Sequence, residues 1–156
     1  SIASQRSPSS RPVAAMAVGF AQQATDLATD FVCRMTMAGH PLIHYQNVQL
    51  ALADMQAETA AIRALVWQYA KAWTPWQARA SIAKFYATDR AQKVIERGMN
   101  LLGEHSLLHA SEMEKAFRDN RLTRIFEGTN QINRLAVIED QQDLLLARIT
   151  EHHHCR

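Results

Sequence analysis

Ala14, Ala17, Ala21, Ala24 and Ala28 recur at steps of three and four residues, and Phe31 and Met35 extend the same row. Such steps keep one side of an α-helix facing one way, and small side chains there let a second helix come close. A second row repeats the device: Ala80, Ala83, Ala87, Ala91, Val94, Gly98 and Leu101, flanked by Ile82, Phe85 and Tyr86. Between them Val48, Leu52, Met55, Ile62, Val66, Tyr69 and Trp73 form a bulkier stripe, interrupted once by the polar Thr59. Ile132, Leu135, Ile138, Leu145 and Ile149 make a fourth. No segment alternates with period two over a useful length. The expected fold is all-α: an antiparallel up-and-down four-helix bundle in which the alanine rows bring two helices together.

Punctuation sets the boundaries. Ser10 caps the first helix with Pro12 in its first turn, and Gly39 and Pro41 are expected to end it. Thr74-Pro75 stops the second helix and Gly103 the third, and a short helix over 111–118 precedes the last. Residues 1–10 read as a linker, 11–150 as the bundle and 151–156 as a disordered tail.

At 156 residues the chain is long enough for one domain with a real core. Its net charge of +2, with no basic block, argues against nucleic acid as a partner. No apolar run is long enough for a membrane span. Cys33 and Cys155 lie far apart without metal-type spacing. His40 and His44, like His105 and His109, are four apart but have no third ligand nearby, so no metal site is expected. The His152-His153-His154-Cys155 tail reads as a frayed end. Met55, Trp67 and Trp73 are assigned to core or interface packing.

The stretch Arg118 to Leu135 carries the chemistry. Glu127 stands between Ile125-Phe126 and Gly128-Thr129, just before the last amphipathic segment. Gly128 takes backbone angles that other residues resist, so the helical run stops there, and Thr129 suits the N-cap of the next helix. Glu127 is thereby held on a short loop at the mouth of a helix. Dry apolar neighbours would raise its pKa, while the positive end of the helix would lower it. A carboxylate so placed can act as a general base. It can equally be a solvated charge that complements the helix dipole.

Arg118-Asp119, then Ile125-Phe126-Glu127-Gly128-Thr129, then Gln131-Ile132 and Arg134-Leu135, resembles the C-terminal signature of the acyl-CoA dehydrogenase family. Further likeness lies in Arg11-Pro12-Val13-Ala14-Ala15, Gly39-x-Pro41-Leu42, Leu52-Ala53-Asp54-Met55, Ala80-Ser81-Ile82-Ala83-Lys84 and Leu102-Gly103. It runs from about Arg11 to Glu139 and corresponds to the last third of a family member. The resemblance implies an FAD-dependent α,β-desaturation of an acyl-CoA thioester, with Glu127 as the base that takes the α-proton. A minority of the family carry the base on the first helix, where this chain has Ser10, so the role falls to Glu127. The resemblance further implies that Thr129 and Gln131 contact FAD of the same subunit, and that Gly128 lies beside the substrate. Arg11 supports the catalytic loop or is a solvated cap. An electron-transfer acceptor as partner, and the bacterial cytoplasm or mitochondrial matrix as location, come with the same family.

Departures accompany the matches. The family's arginine four residues before the Gly of Gly-x-Pro, and its Thr or Gln two before, reach the FAD diphosphate of a neighbouring subunit. Here those positions hold Met35 and Met37. Arg34 is adjacent, but one residue rotates it by about 100° around the helix. The family's Gln-x-x-Gly-Gly loop is Asn100-Leu101-Leu102-Gly103-Glu104 here. That leaves Asn100 and Gly103 as candidate contacts and puts a carboxylate, Glu104, where it repels a diphosphate. The expectation is a hetero-oligomer in which this chain carries the base and a related partner, or N-terminal and β-domains elsewhere, completes the flavin site. The alternative is a helical assembly or interaction module without turnover. A third reading keeps the flavin fold with an oxidase or monooxygenase reaction.

Overall fold

A computed structural model describes residues 10–71, 77–108 and 110–154. The described residues form five α-helices: α1 (Ser10–Arg34), α2 (Gln46–Lys71), α3 (Gln77–Leu102), α4 (Glu112–Thr123) and α5 (Asn130–His154). A two-residue hairpin, β1 (Thr36–Met37) and β2 (His40–Pro41), joins α1 to a short 3-10 turn before α2. The all-α bundle read from the sequence is the architecture observed. Thr74-Pro75, expected to stop α2, lie outside the described residues, as does Trp73.

The alanine rows do what their size permits. Ala14, Ala17, Ala21, Ala24 and Ala28 on α1 and Ala87 and Ala91 on α3 are fully buried, and these two helices share the most extensive packing in the chain. Phe31, near the end of α1, packs on His105, just beyond α3, with ring centroids 5.3 Å apart. The two helices therefore end at the same end of the bundle. α2 lies against both, and its polar interruption is satisfied: the Thr59 hydroxyl is 3.2 Å from that of Thr25, which also bonds to the Ala21 carbonyl at 2.8 Å. Buried hydroxyls are tolerated where they find such partners.

α3 is the central element, touching α1, α2, α4 and α5. Gly98 lets Met113 of α4 and Met55 of α2 pack onto it, since a Cβ there would lie 2.7 Å from the Met113 methyl. The last row of α1 differs from expectation. Val32 continues the buried face, while Phe31 is half-buried and Met35 exposed. The helix also stops at Arg34, short of Gly39. Ala38 and Gly39 both have positive φ, 50° and 83°, which makes the tight hairpin turn that pulls the chain out of the helix. Tyr45 closes it by donating its hydroxyl to the Met37 carbonyl at 2.6 Å.

The inward face of α5 differs as well. Asn130, Asn133 and Ala136 are buried, whereas Leu135, Ile138 and Leu145 point outward. Two residues along a helix turn the side chain by about 200°, so burying Asn133 necessarily exposes Leu135. The side chain of Ile149 lies outside the described residues, and the α5 backbone continues to His154, past the expected boundary at 150. Trp67 is also exposed, with Lys71 over its ring at 5.7 Å, and contributes nothing to the core of this chain. Among the described residues no helix is long and apolar enough to cross a membrane.

Candidate active site

The polar face of α5 explains why it turns as it does. Lys84, Thr88 and Gln92 recur every fourth residue on α3, beside the alanine row, and all three are buried. Asn120 on α4 and Asn130 on α5 bond to them, and Thr123 and Asn133 are buried on the same two helices. The Asn130 amide donates to the Thr88 hydroxyl at 2.9 Å and to Asp89 at 2.9 Å. The Asn120 amide donates to the Thr88 carbonyl at 3.2 Å and to the Gln92 side chain at 3.0 Å. A buried polar network of this kind is stable only when its members are paired, and pairing fixes the geometry of everything attached to it.

What is attached is the loop from Arg124 to Thr129. α4 ends at Thr123, five residues before Gly128, so the glycine does not itself stop that helix. It does the next job. Glu127 and Gly128 are consecutive left-handed residues, with φ of 58° and 85°. Glycine adopts that conformation freely, but a glutamate there carries about 1–2 kcal/mol of backbone strain. The surrounding structure holds it. The Lys84 ammonium donates to the Gly128 carbonyl at 2.7 Å and to Asn130 Oδ1 at 2.8 Å. The Asn133 amide donates to the same Gly128 carbonyl at 2.9 Å and to the Thr129 carbonyl at 3.0 Å. The Asn130 N–H reaches back to the Arg124 carbonyl at 3.1 Å.

Thr129 caps α5 as the sequence suggests, its hydroxyl accepting from the Ile132 N–H at 3.4 Å. At the edge of the network, Asp89 also accepts from Arg124 at 2.8 Å and from Arg134 at 2.5 Å, and the Arg134 guanidinium lies 4.7 Å from the Phe85 ring centre. These groups line an open groove along α3 together with Arg90 and Lys93. Burial pulls the Lys84 ammonium down from its ordinary 10.5 to about 8, against the opposing pull of Asp89 and Glu127 and with the help of Arg124.

The candidate residues fall into two groups. Glu127, Gly128, Thr129 and Gln131 are contiguous at the start of α5, with Gln131 exposed and Glu127 half-buried. Ile125 and Phe126 beside them are exposed. Arg11, exposed in the first turn of α1, lies at the same end of the bundle. Arg34, Asn100 and Gly103 are elsewhere, exposed at the opposite end. Sixteen residues of α3 separate Lys84 from Asn100, about 24 Å along the helix. Arg34 is engaged by Asp30 of its own helix. Lys84, Asn130 and Asn133 escaped the sequence reading. Their signal was the fourfold spacing of Lys84, Thr88 and Gln92, a polar row too close to the alanines to be solvent-facing.

Residues 3–141 match the C-terminal domain of acyl-CoA dehydrogenases. The chain belongs to the acyl-CoA dehydrogenase family. It is 34% identical over 128 residues to the mitochondrial short-chain specific acyl-CoA dehydrogenase of Bos taurus, covering 80% of this chain and 31% of that protein. It is 30% identical over 132 residues to acryloyl-CoA reductase (NADH) of Anaerotignum propionicum, covering 82% and 33%. Among solved structures, butyryl-CoA dehydrogenase from Megasphaera elsdenii superposes with a TM-score of 0.81 at 28% identity, over 85% of this chain and 36% of that one. The chain thus spans about a third of the length of the acyl-CoA dehydrogenase relatives it matches.

Proposed function

We propose that this chain is the base-bearing C-terminal domain of an FAD-dependent acyl-CoA dehydrogenase, with Glu127 taking the α-proton of an acyl-CoA thioester. The observation that carries this reading is the left-handed pair Glu127–Gly128 at the mouth of a capped helix. A solvated surface charge needs no strained backbone, and strain of this kind gathers at functional sites.

The residues at the start of α5 fit one edge of a flavin. Thr129 accepts a single long bond, which leaves its O–H to donate, and the exposed Gln131 side chain and first-turn amides of α5 stand beside it. When bound, the flavin supplies the acceptor for the hydride that leaves the β-carbon. The Glu127 carboxylate takes the proton from the α-carbon, and the C–H electron pair becomes the new double bond as the hydride departs. Gly128, lacking a side chain, lets the thioester approach the loop. Ile125 and Phe126 exclude water once substrate and the rest of the protein cover them.

The opposite end does not fit a diphosphate. Met35 and Met37 are exposed there, Arg34 is held by Asp30, and Glu104 presents a carboxylate. This supports a hetero-oligomer, in which a related partner provides the contacts this end lacks. Tight stoichiometric FAD binding by the intact subunit without a partner would reject that arrangement. The reading of Glu127 is tested by Glu127→Gln in the assembled, flavin-loaded protein, with turnover followed by an electron acceptor. Loss of at least about 10²-fold is expected, and undiminished turnover would refute it.

A second reading, an assembly module without turnover, draws on the exposed apolar residues Leu122, Ile125, Phe126, Leu135, Ile138 and Leu145. It predicts an assembly whose formation is unaffected by Glu127→Gln and which lacks turnover in either form.

A further inference from the structure

Lys84 is fully buried, about two turns into α3, a position where lysine is rare and costly. A long flexible cation does nothing for packing that leucine or methionine would not do better. Its two acceptors say what it is for. Both lie on the segment that carries Glu127: the Gly128 carbonyl at 2.7 Å and Asn130 Oδ1 at 2.8 Å.

We infer that Lys84 is the positioning residue of the catalytic loop. Its buried ammonium ties the Gly128 carbonyl and the start of α5 to α3, and so keeps Glu127 in the left-handed conformation from which the carboxylate reaches the α-carbon. The inference rests on the reading of Glu127 as the base and assigns its support to one side chain.

Three features favour positioning over bulk stability. One bond reaches the residue that follows the strained Glu127, and the other the first residue of α5, so the turn between them is held at its exit. The other donor to the Gly128 carbonyl, Asn133, comes from α5, downstream of the turn, so it is Lys84 that ties this carbonyl to α3. Finally, the second acceptor, Asn130, opens α5, so the same ammonium fixes the helix that begins just after Glu127.

The test uses the assembled, flavin-loaded protein carrying Lys84→Met, Lys84→Gln, Glu127→Gln, or Lys84→Met with Glu127→Gln. Lys84→Met keeps the length and removes the donor, and Lys84→Gln restores a neutral one. The expected result for Lys84→Met is wild-type flavin content, KM within about threefold and kcat down on the order of 10²-fold, the loss that a misplacement of about 1 Å brings. Lys84→Gln recovers part of kcat. In the Glu127→Gln background Lys84→Met removes little further turnover, because it acts through a carboxylate no longer present.

The inference is overturned if Lys84→Met keeps kcat within twofold, or if it lowers residual turnover by the same factor with and without Glu127. If Lys84→Met does not fold, the same criteria are applied to Lys84→Gln. Inactive Glu127→Gln with wild-type Lys84→Met sinks the positioning role alone. Fully active Glu127→Gln sinks the base and, with it, the role of Lys84.

Discussion

The two ends of this bundle are built to different standards. At one end a loop is pinned by a buried lysine and two asparagines, in a backbone conformation that glutamate does not choose for itself. At the other, Arg34 lies on its own helix against Asp30, Asn100 stands exposed in the last turn of α3, and Gly103 and Glu104 stand exposed just beyond it. Both ends include a glycine with positive φ, Gly128 and Gly39. Only the first is locked by side chains from another helix. Buried, fully paired polar groups define one geometry, whereas exposed ion pairs define little. The difference teaches where this chain can fix an atom to within a fraction of an ångström and where it depends on something else to do so.

Matched substitutions sharpen that contrast. Gly128→Ala is expected to have the largest effect. A Cβ would meet Asn133 at 3.4 Å, ordinary contact, so the cost is the left-handed backbone, about 1–2 kcal/mol. If that strain is relieved by moving the loop, turnover of the assembled protein falls by about tenfold or more. Gly39→Ala in the hairpin has a similar φ and open space around its Cβ. It should lower thermal stability by a comparable amount without a direct effect on turnover per bound flavin. Equal losses of turnover in the two variants would break the contrast.

A second kind of effect, on stability and not on turnover, comes from titration. The folded-state pKa of Lys84 lies near 8, below its unfolded value of 10.5. Between those values the unfolded chain holds a proton that the folded one has released, so raising the pH favours the folded state in this window. Below about pH 8 both states are protonated and the cost of burying the ammonium is constant. Denaturant midpoints of wild type and Lys84→Met, measured from pH 7 to pH 10, should diverge in favour of wild type above pH 8. A constant difference would show that the lysine is not desolvated as its burial implies.

The smallest effect is expected at Arg34. Its pair with Asp30 is exposed and spaced four residues apart on one helix, a pairing worth about 0.3–0.5 kcal/mol. Arg34→Ala should leave stability within that range, as read from the unfolding midpoint. A loss above 1 kcal/mol would mean that this end is more tightly organised than its exposure indicates.

Much of this was legible in the residues. Alanines at helical spacing announced which faces of α1 and α3 meet, because side-chain size alone decides how near two backbones come. Thr129 as a cap and Glu127 on a loop followed from local chemistry. The inward face of α5 was not legible. Its apolar row and its asparagine row are both periodic, and only the buried Lys84, Thr88 and Gln92 opposite make the polar row the inner one. A lysine in a helix defaults to solvent, so Lys84 was concealed by its own identity. The positive φ of Glu127 was equally hidden, since Gly128 announces one left-handed residue and not two. The helix end at Arg34 was misplaced because Gly39 serves a hairpin five residues further on.

Proton removal can be watched apart from oxidation. With a thioester that has an acidic α-carbon but cannot lose a β-hydride, exchange of the α-hydrogen with deuterated water reports on the base alone. The assembled, flavin-loaded protein and its Arg34→Ala variant should exchange at the same rate, and Glu127→Gln should bring exchange down to the background of free thioester. Exchange undiminished in Glu127→Gln would place the base elsewhere in the protein.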